Sequence, residues 1–219
     1  MKLHVQVIIF DFDGVIINSG ADIANAVQHT LKMFDRPILP KDEIISYVGH
    51  GAESLIRRSF KNCSEELIKR ALPLYQKHYF ENAVVETELY PHVKEILQEL
   101  KDRLDSKKIA LVTNKPEDIT LEILDLLGVR KFFDLIVGPE SVSKMKPDPE
   151  GIIRVLSSLD ITADRAIMVG DTYVDIEAGK SAGTFTCGVT YGLGDTDELI
   201  NSEPDLLIDD ISKLLVYIE

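Results

Sequence analysis

Hydrophobic positions fall into two regimes along the chain. The first ten residues end in Val5-Gln6-Val7-Ile8-Ile9-Phe10, an apolar, largely β-branched run. Such a run predicts a strand buried on both faces, as in a parallel sheet covered by helices above and below. From Asp22 the spacing becomes helical: Ile23, Val27, Thr30, Leu31 and Phe34 recur along one face. Arg36-Pro37 and Leu39-Pro40 interrupt this helix. A short helix over 42–48, a Gly49-His50-Gly51 turn, a helix carrying Leu55, Ile56 and Phe60, and a longer helix over 64–80 follow. The stretch 16–83 thus predicts consecutive helices with no strand among them.

After Pro91 the pattern alternates. A helix with Val93, Ile96, Leu97, Leu100 and Leu104 precedes the strand Ile109–Thr113. Pro116 opens the next helix, where its missing N–H costs little, and Gly128 closes it. Strands are predicted over 133–137, 166–170, 184–189 and 206–208, with helices from Pro149 to Leu159 and over 211–217. Strand–helix alternation implies an α/β fold with a doubly wound parallel sheet. The first strand belongs to that sheet, so the helical block is an insertion. The expected organisation is a discontinuous Rossmann-like core, 1–15 and 84–219, and a small all-helical cap domain, 16–83, joined by linkers near 15–20 and 82–88.

Composition narrows the class. At 219 residues, with 45% hydrophobic and 28% charged residues, the chain suits an ordinary globular protein rather than a disordered one. A net charge of −13 argues against nucleic acid or an anionic membrane as partner, and requires a local cation where an anionic substrate binds. Cys63 and Cys187 lie far apart without metal-ligand spacing, as free thiols in a reducing compartment would. The N-terminal apolar run is too short for a signal peptide, and no stretch approaches a membrane span. A soluble, cytoplasmic protein is expected, monomer or homodimer.

The strand ends carry the chemistry. The first ends in Asp11-Phe12-Asp13-Gly14, the second in Thr113-Asn114, and a later one in Gly170-Asp171-Thr172 with Asp175 one turn on. Lys144-Met145-Lys146-Pro147-Asp148-Pro149 lies between another strand and its helix. Taken singly, each end is also explained by helix capping or turn formation. In a parallel sheet, however, they converge where ligands bind. Clustered carboxylates repel unless a cation holds them, and oxygen-only ligands suit Mg²⁺. A carboxylate can attack phosphorus to form an aspartyl-phosphate. Two like charges about 4 Å apart cost on the order of 4 kcal/mol at an effective dielectric near 20, so a phosphate needs the metal and a lysine, for which Lys146 is placed. The Thr113 hydroxyl and neighbouring backbone N–H groups would hold phosphoryl oxygens, and a second acid two residues from the nucleophile would move the proton.

The order Asp11-x-Asp13-Gly14-Val15, Thr113-Asn114, Lys146-Pro147-x-Pro149 and Gly170-Asp171-x-x-x-Asp175 resembles the haloacid dehalogenase-like hydrolase superfamily, all four of whose motifs appear in sequence. The resemblance implies Asp11 as nucleophile and Asp13 as general acid/base. It implies phosphate binding by Thr113 and Lys146, with Asn114 and Gly14 beside them. Mg²⁺ would be held by Asp11, the Asp13 backbone carbonyl and Asp171, with Asp175 in support. Dehalogenating members lack the second aspartate, so Asp13 places the chain with the phosphate-transfer members.

An insertion directly after the first motif is the arrangement of a subgroup with phosphoglycolate phosphatases, β-phosphoglucomutases, a pyrophosphatase and phosphonoacetaldehyde hydrolase. Asn18-Ser19-Gly20-Ala21-Asp22-Ile23-Ala24, Val48-Gly49-His50-Gly51, Val112-Thr113-Asn114-Lys115 and Ala182-Gly183 leading to Gly188–Gly192 look most like the phosphoglycolate phosphatase branch, with Asn18 a departure from its common aspartate. A mutase needs a cap arginine where Ala52 stands, and the phosphonate hydrolase a specially placed cap lysine. His50 is a candidate to reach a substrate from the cap. The expected function is Mg²⁺-dependent hydrolysis of a small phosphorylated metabolite such as 2-phosphoglycolate. The alternative within the superfamily is a β-phosphoglucomutase-type phosphotransferase or a pyrophosphatase, and from another class a receiver-like phosphoaccepting signalling module.

Overall fold

The computed structural model describes residues 2–103 and 107–219. Strand β1 (Val7–Phe10) sends Val7 and Ile9 to one face of a sheet and Ile8 and Phe10 to the other, and all four are fully buried. Covering both faces removes any reason for polar alternation, hence the unbroken apolar run. Each such side chain contributes about 1.5–3 kcal/mol through burial.

The chain then makes β2 (Ile17–Asn18) and four helices: α1 (Gly20–Met33), α2 (Lys41–Ile45), α3 (Ala52–Phe60) and α4 (Glu65–Glu81). It returns through β3 (Glu88–Leu89), which pairs antiparallel with β2. The stretch expected to be free of strands therefore contains one. Two residues are too few to show a period, and their pairing partner lies some seventy positions on. Helix α1 packs on α2 and α4, and α3 on α4. Ser64 caps α4 by accepting the Leu67 N–H at 3.3 Å, satisfying one of the free donors of its first turn.

Beyond β3 come α5 (Val93–Arg103), β4 (Lys108–Val112), α6 (Glu117–Leu126), β5 (Leu135–Val137), α7 (Glu150–Leu159), β6 (Ala166–Gly170), α8 (Tyr173–Ala182), β7 (Phe185–Val189), α9 (Thr196–Asn201), β8 (Leu206–Ile208) and α10 (Leu214–Tyr217). Leu104, assigned to a helix by its spacing, lies outside the described residues. Helix α9, absent from the hydrophobic pattern, is a six-residue element held by Asp195, whose carboxylate accepts the N–H groups of Asp197 and Glu198.

The six-stranded sheet is parallel throughout, in the order β5–β4–β1–β6–β7–β8. Helices α7 and α8 cover the face of Val7 and Ile9, with Ile152, Val155 and Ala178 buried against it. Helices α5 and α6 lie on the side of Ile8 and Phe10, contributing Leu97, Leu100 and Ile123 to that core.

Candidate active site

The sheet order places the candidate residues together. Strand β1 lies between β4 and β6, with Phe10 in register with Leu111 and Val169. The chain runs outward from β1 through β4 to β5, then crosses back to β6 and runs outward through β7 and β8. Doubly wound sheets open a crevice at such a reversal, beyond the carboxyl ends of the strands. Asp11, Thr113 and Asp171 all leave their strands at that edge. The Asp11 N–H donates to the Val169 carbonyl (2.9 Å) and the Thr113 N–H to the Val137 carbonyl (3.0 Å), so the sheet ladder itself sets their positions.

One carboxylate oxygen from each of Asp11, Asp171 and Asp175 lies within 4.8 Å of the others, and all three residues are buried. Lys146 Nζ is 2.8 Å from Asp11 and 2.7 Å from Asp175, with its side chain only 2% exposed. The remaining Asp175 oxygen accepts the Thr172 N–H and hydroxyl, closing a capping box at the start of α8. One Asp171 oxygen accepts the Leu193 and Gly194 N–H groups. Among the described residues this leaves the second oxygens of Asp11 and Asp171 without a donor.

One ammonium facing three carboxyls is a poor balance. Burial pushes Asp11 up to about 7; Lys146 pulls it back, while Asp175 and Asp13 add repulsion. Asp171 is held well above the usual carboxylate range, by burial first and by Asp175 and Asp11 next. Burial works against the charge on Lys146, but Asp11 and Asp175 outweigh it and raise its pKa. Hard oxygen donors, buried, close together and short of positive charge, fit a divalent cation such as Mg²⁺.

Asp13 stands apart from this cluster. Both of its carboxylate oxygens accept from Lys115 Nζ, at 2.9 and 3.0 Å, and one also accepts the Ser19 hydroxyl. Its carboxylate is thus engaged by Lys115 and Ser19 rather than by the Asp11–Asp171–Asp175 cluster. Lys115 is 5% exposed in its side chain, and its ammonium lies 4.6 Å from the centre of the Tyr79 ring. Sequence reasoning missed Lys115 and Ser19 as site residues. Both stand in runs that carry the family resemblance, Lys115 as a cation directly after Thr113-Asn114 and Ser19 as a hydroxyl at the start of α1, but neither was given a role.

Three expected ligand contacts are redirected. The Gly14 N–H donates to the Ile17 carbonyl (2.9 Å), so it is not on offer to a phosphate. Gly14 matters instead for space: its φ is +83°, and a Cβ there would lie 1.9 Å from an Asp171 carboxylate oxygen. The Asn114 side chain donates to the carbonyls of Gly49 (2.9 Å) and Lys146 (3.0 Å) and accepts the Lys146 N–H (3.0 Å), strapping the lysine loop and the α2–α3 turn to the end of β4. A phosphate contact through that amide would have to break this strap. His50 turns towards Tyr173, with Nε2 3.4 Å from its hydroxyl, and is not part of the cavity lining. Thr113 remains where expected, buried in the lining, with its hydroxyl oxygen accepting the Lys115 N–H at 3.2 Å.

A cavity of about 360 Å³ opens over this floor. Asp11, Asp13, Thr113 and Lys115 form its base. Gly49, Leu55, Tyr75 and Tyr79 face it from the helical block. Tyr75 and Tyr79 stack with ring centres 5.8 Å apart and make one apolar wall.

Comparison with known proteins agrees with this geometry. Residues 8–189 match the family described as haloacid dehalogenase-like hydrolase. A phosphoglycolate phosphatase of Aquifex aeolicus is 38% identical over 188 residues, covering 86% of each chain. One from Colwellia psychrerythraea is 33% identical over 227 residues, covering all of both. Among solved structures, a protein described as a predicted phosphoglycolate phosphatase from Haemophilus somnus superposes with a TM-score of 0.92 at 29% identity, covering 99% of both chains. The chain belongs to the haloacid dehalogenase-like hydrolase family.

Proposed function

We propose that this protein is a Mg²⁺-dependent phosphatase that cleaves a small phosphate monoester, 2-phosphoglycolate or a close analogue, through an aspartyl-phosphate on Asp11. The observation that carries this reading is the placement of Asp11 at the cavity base, bridged by Lys146 to Asp175 and clustered with Asp171, with Asp13 two residues on. The names of the relatives support the substrate class.

In the first half-reaction an Asp11 oxygen forms a bond to phosphorus as the bond from phosphorus to the leaving oxygen breaks. Asp13 gives its proton to that oxygen. In the second, Asp13 takes a proton from water, whose oxygen attacks phosphorus and releases both inorganic phosphate and the Asp11 carboxylate. Lys146 and the Thr113 hydroxyl stabilise the equatorial oxygens. Asp11, Asp171 and the Asp13 backbone carbonyl, with Asp175 in support, would hold a Mg²⁺ ion, which would supply positive charge against the repulsion between phosphate and carboxylates. Asn114 acts by positioning Lys146. In this reading residues 16–83 are a cap that encloses the substrate, swinging on β2 and β3, and 1–15 with 84–219 form the catalytic core.

We further place the protein in the cytoplasm, acting on a free metabolite. No described helix is long and apolar enough to cross a membrane, and Cys63 and Cys187 are free thiols.

The test is hydrolysis of an aryl phosphate with Mg²⁺, with excess chelator, and with Asp11→Asn. Chelator should abolish turnover, and Asp11→Asn should lower kcat by about 10⁴-fold or more, as loss of a covalent nucleophile does elsewhere. Full activity in Asp11→Asn would exclude the mechanism. Lasting phosphorylation of Asp11 without phosphate release would favour a signalling role instead.

A further inference from the structure

We propose that Lys115 is the specificity residue of this cavity: besides holding Asp13, it binds a second anionic group on the leaving portion of the ester, so that compact esters carrying a carboxylate besides the phosphate are preferred over neutral-tailed ones of the same size. The inference rests on the phosphatase reading above.

Geometry carries it. To protonate the leaving oxygen, Asp13 must come within about 3 Å of it. Lys115 Nζ sits 2.9–3.0 Å from the two oxygens of that same carboxylate. A carboxylate one carbon beyond the leaving oxygen therefore falls beside the ammonium. An ammonium carries three N–H donors, and Asp13 engages two of them. Tyr79 lines the same cavity, and its buried hydroxyl has no hydrogen-bond partner among the described residues. Its ring, with its centre 4.6 Å from the ammonium, closes another side of Lys115.

The rest of the lining supports a small ligand. Lys146, paired with Asp11 and Asp175, serves the phosphoryl group in the reading above, which leaves Lys115 for the leaving portion. The outer charges, Lys77, Glu81, Asp118 and Glu140, are all exposed and carry three acids against one lysine. That rim disfavours an extended polyanion, while Lys115 rewards a single charge held deep inside. About 360 Å³ is also near the lower end of ligand-site volumes.

The experiment compares phosphoglycolate with 2-hydroxyethyl phosphate, which lacks the carboxylate, in wild type, Lys115→Met and Lys115→Arg. Wild type should favour phosphoglycolate by about tenfold or more in kcat/KM, the size expected for a hydrogen bond to a charged group. Lys115→Met should bring that ratio close to one, chiefly through KM for phosphoglycolate, and Lys115→Arg should restore part of it. Equal losses on both esters would mean that Lys115 only holds Asp13, and would overturn the proposal. So would a wild-type ratio near one, a result that needs no variant to fold. If wild type hydrolyses both esters without preference, this inference falls and the phosphatase reading stands; if it hydrolyses no phosphate ester, both fall.

Discussion

Asp11 is an acid whose surroundings oppose its own charge. In the unfolded chain it loses its proton near 3.8, in the fold only near 7, because burial outweighs the attraction of Lys146. Between those values the folded state holds the extra proton. By linkage, the contribution of this group to stability falls as pH rises through that window, and levels off above about 7. Asp171 is shifted the same way and acts in the same sense. A cation added at pH 8 meets ionised carboxylates, whereas at pH 5.5 it must displace protons. At a Mg²⁺ concentration about 100 times the Kd at pH 8, Tm should therefore rise by about 5–10 °C at pH 8, and by clearly less at pH 5.5 at that same concentration. Scanning calorimetry with and without chelator checks this. Equal shifts at both pH values would dissociate the metal from the carboxyl cluster.

At the scale of elements, the two connections between the helical block and the sheet are more structured than linkers. Strands β2 and β3 pair, and Asp22 in the first turn of α1 secures the chain just before β3. One Asp22 oxygen accepts the N–H groups of Val85, Glu86 and Thr87 and the Thr87 hydroxyl, at 2.8–3.0 Å, and the residue is 3% exposed. Asp22 also complements the dipole of α1 from its first turn. Its larger part, joining α1 to a segment more than sixty residues away, is invisible to any local pattern. Replacing it with alanine strips these donors of their common acceptor and should cost about 3 kcal/mol, lowering Tm by about 6–12 °C. Asp22→Asn, which keeps an acceptor oxygen, should lose less. Thermal melts of the two variants decide it, and an alanine variant within about 2 °C of wild type would show the latch to be dispensable.

For the whole molecule, charge is the feature that reaches farthest. A net −13 repels an anionic ester at a distance, while Lys146 and Lys115 attract it only once inside. Raising ionic strength from about 10 to 150 mM shortens the screening length from roughly 30 to 8 Å, which weakens the distant repulsion more than the buried attraction. With Mg²⁺ saturating, kcat/KM for phosphoglycolate should rise about twofold over that range. Steady-state rates at constant pH test this, and a steep fall would mean that local cations dominate the approach.

The sheet was readable from the chain because burial on both faces leaves a local trace: Ile8–Phe10, Ile109–Val112 and Ile167–Val169 are unbroken apolar runs. Each such run near the centre of the sheet ends in polar residues, so Asp11, Thr113 and Asp171 could be picked out without coordinates. Two-residue β2 and β3 show no period, and α9 rests on a cap rather than an apolar face, which is why these three escaped. Side-chain partners were beyond reach for a different reason. Lys115 meets Asp13 across 102 residues and Asn114 meets Gly49 across 65. Periodicity reports which face of an element is buried, but which donor finds which acceptor depends on competition among all groups brought to the site. The residues that leave the strand ends were settled by sequence. The partners that Lys115, Asn114, Gly14 and His50 take there were settled only when the sheet and the helical block closed around them.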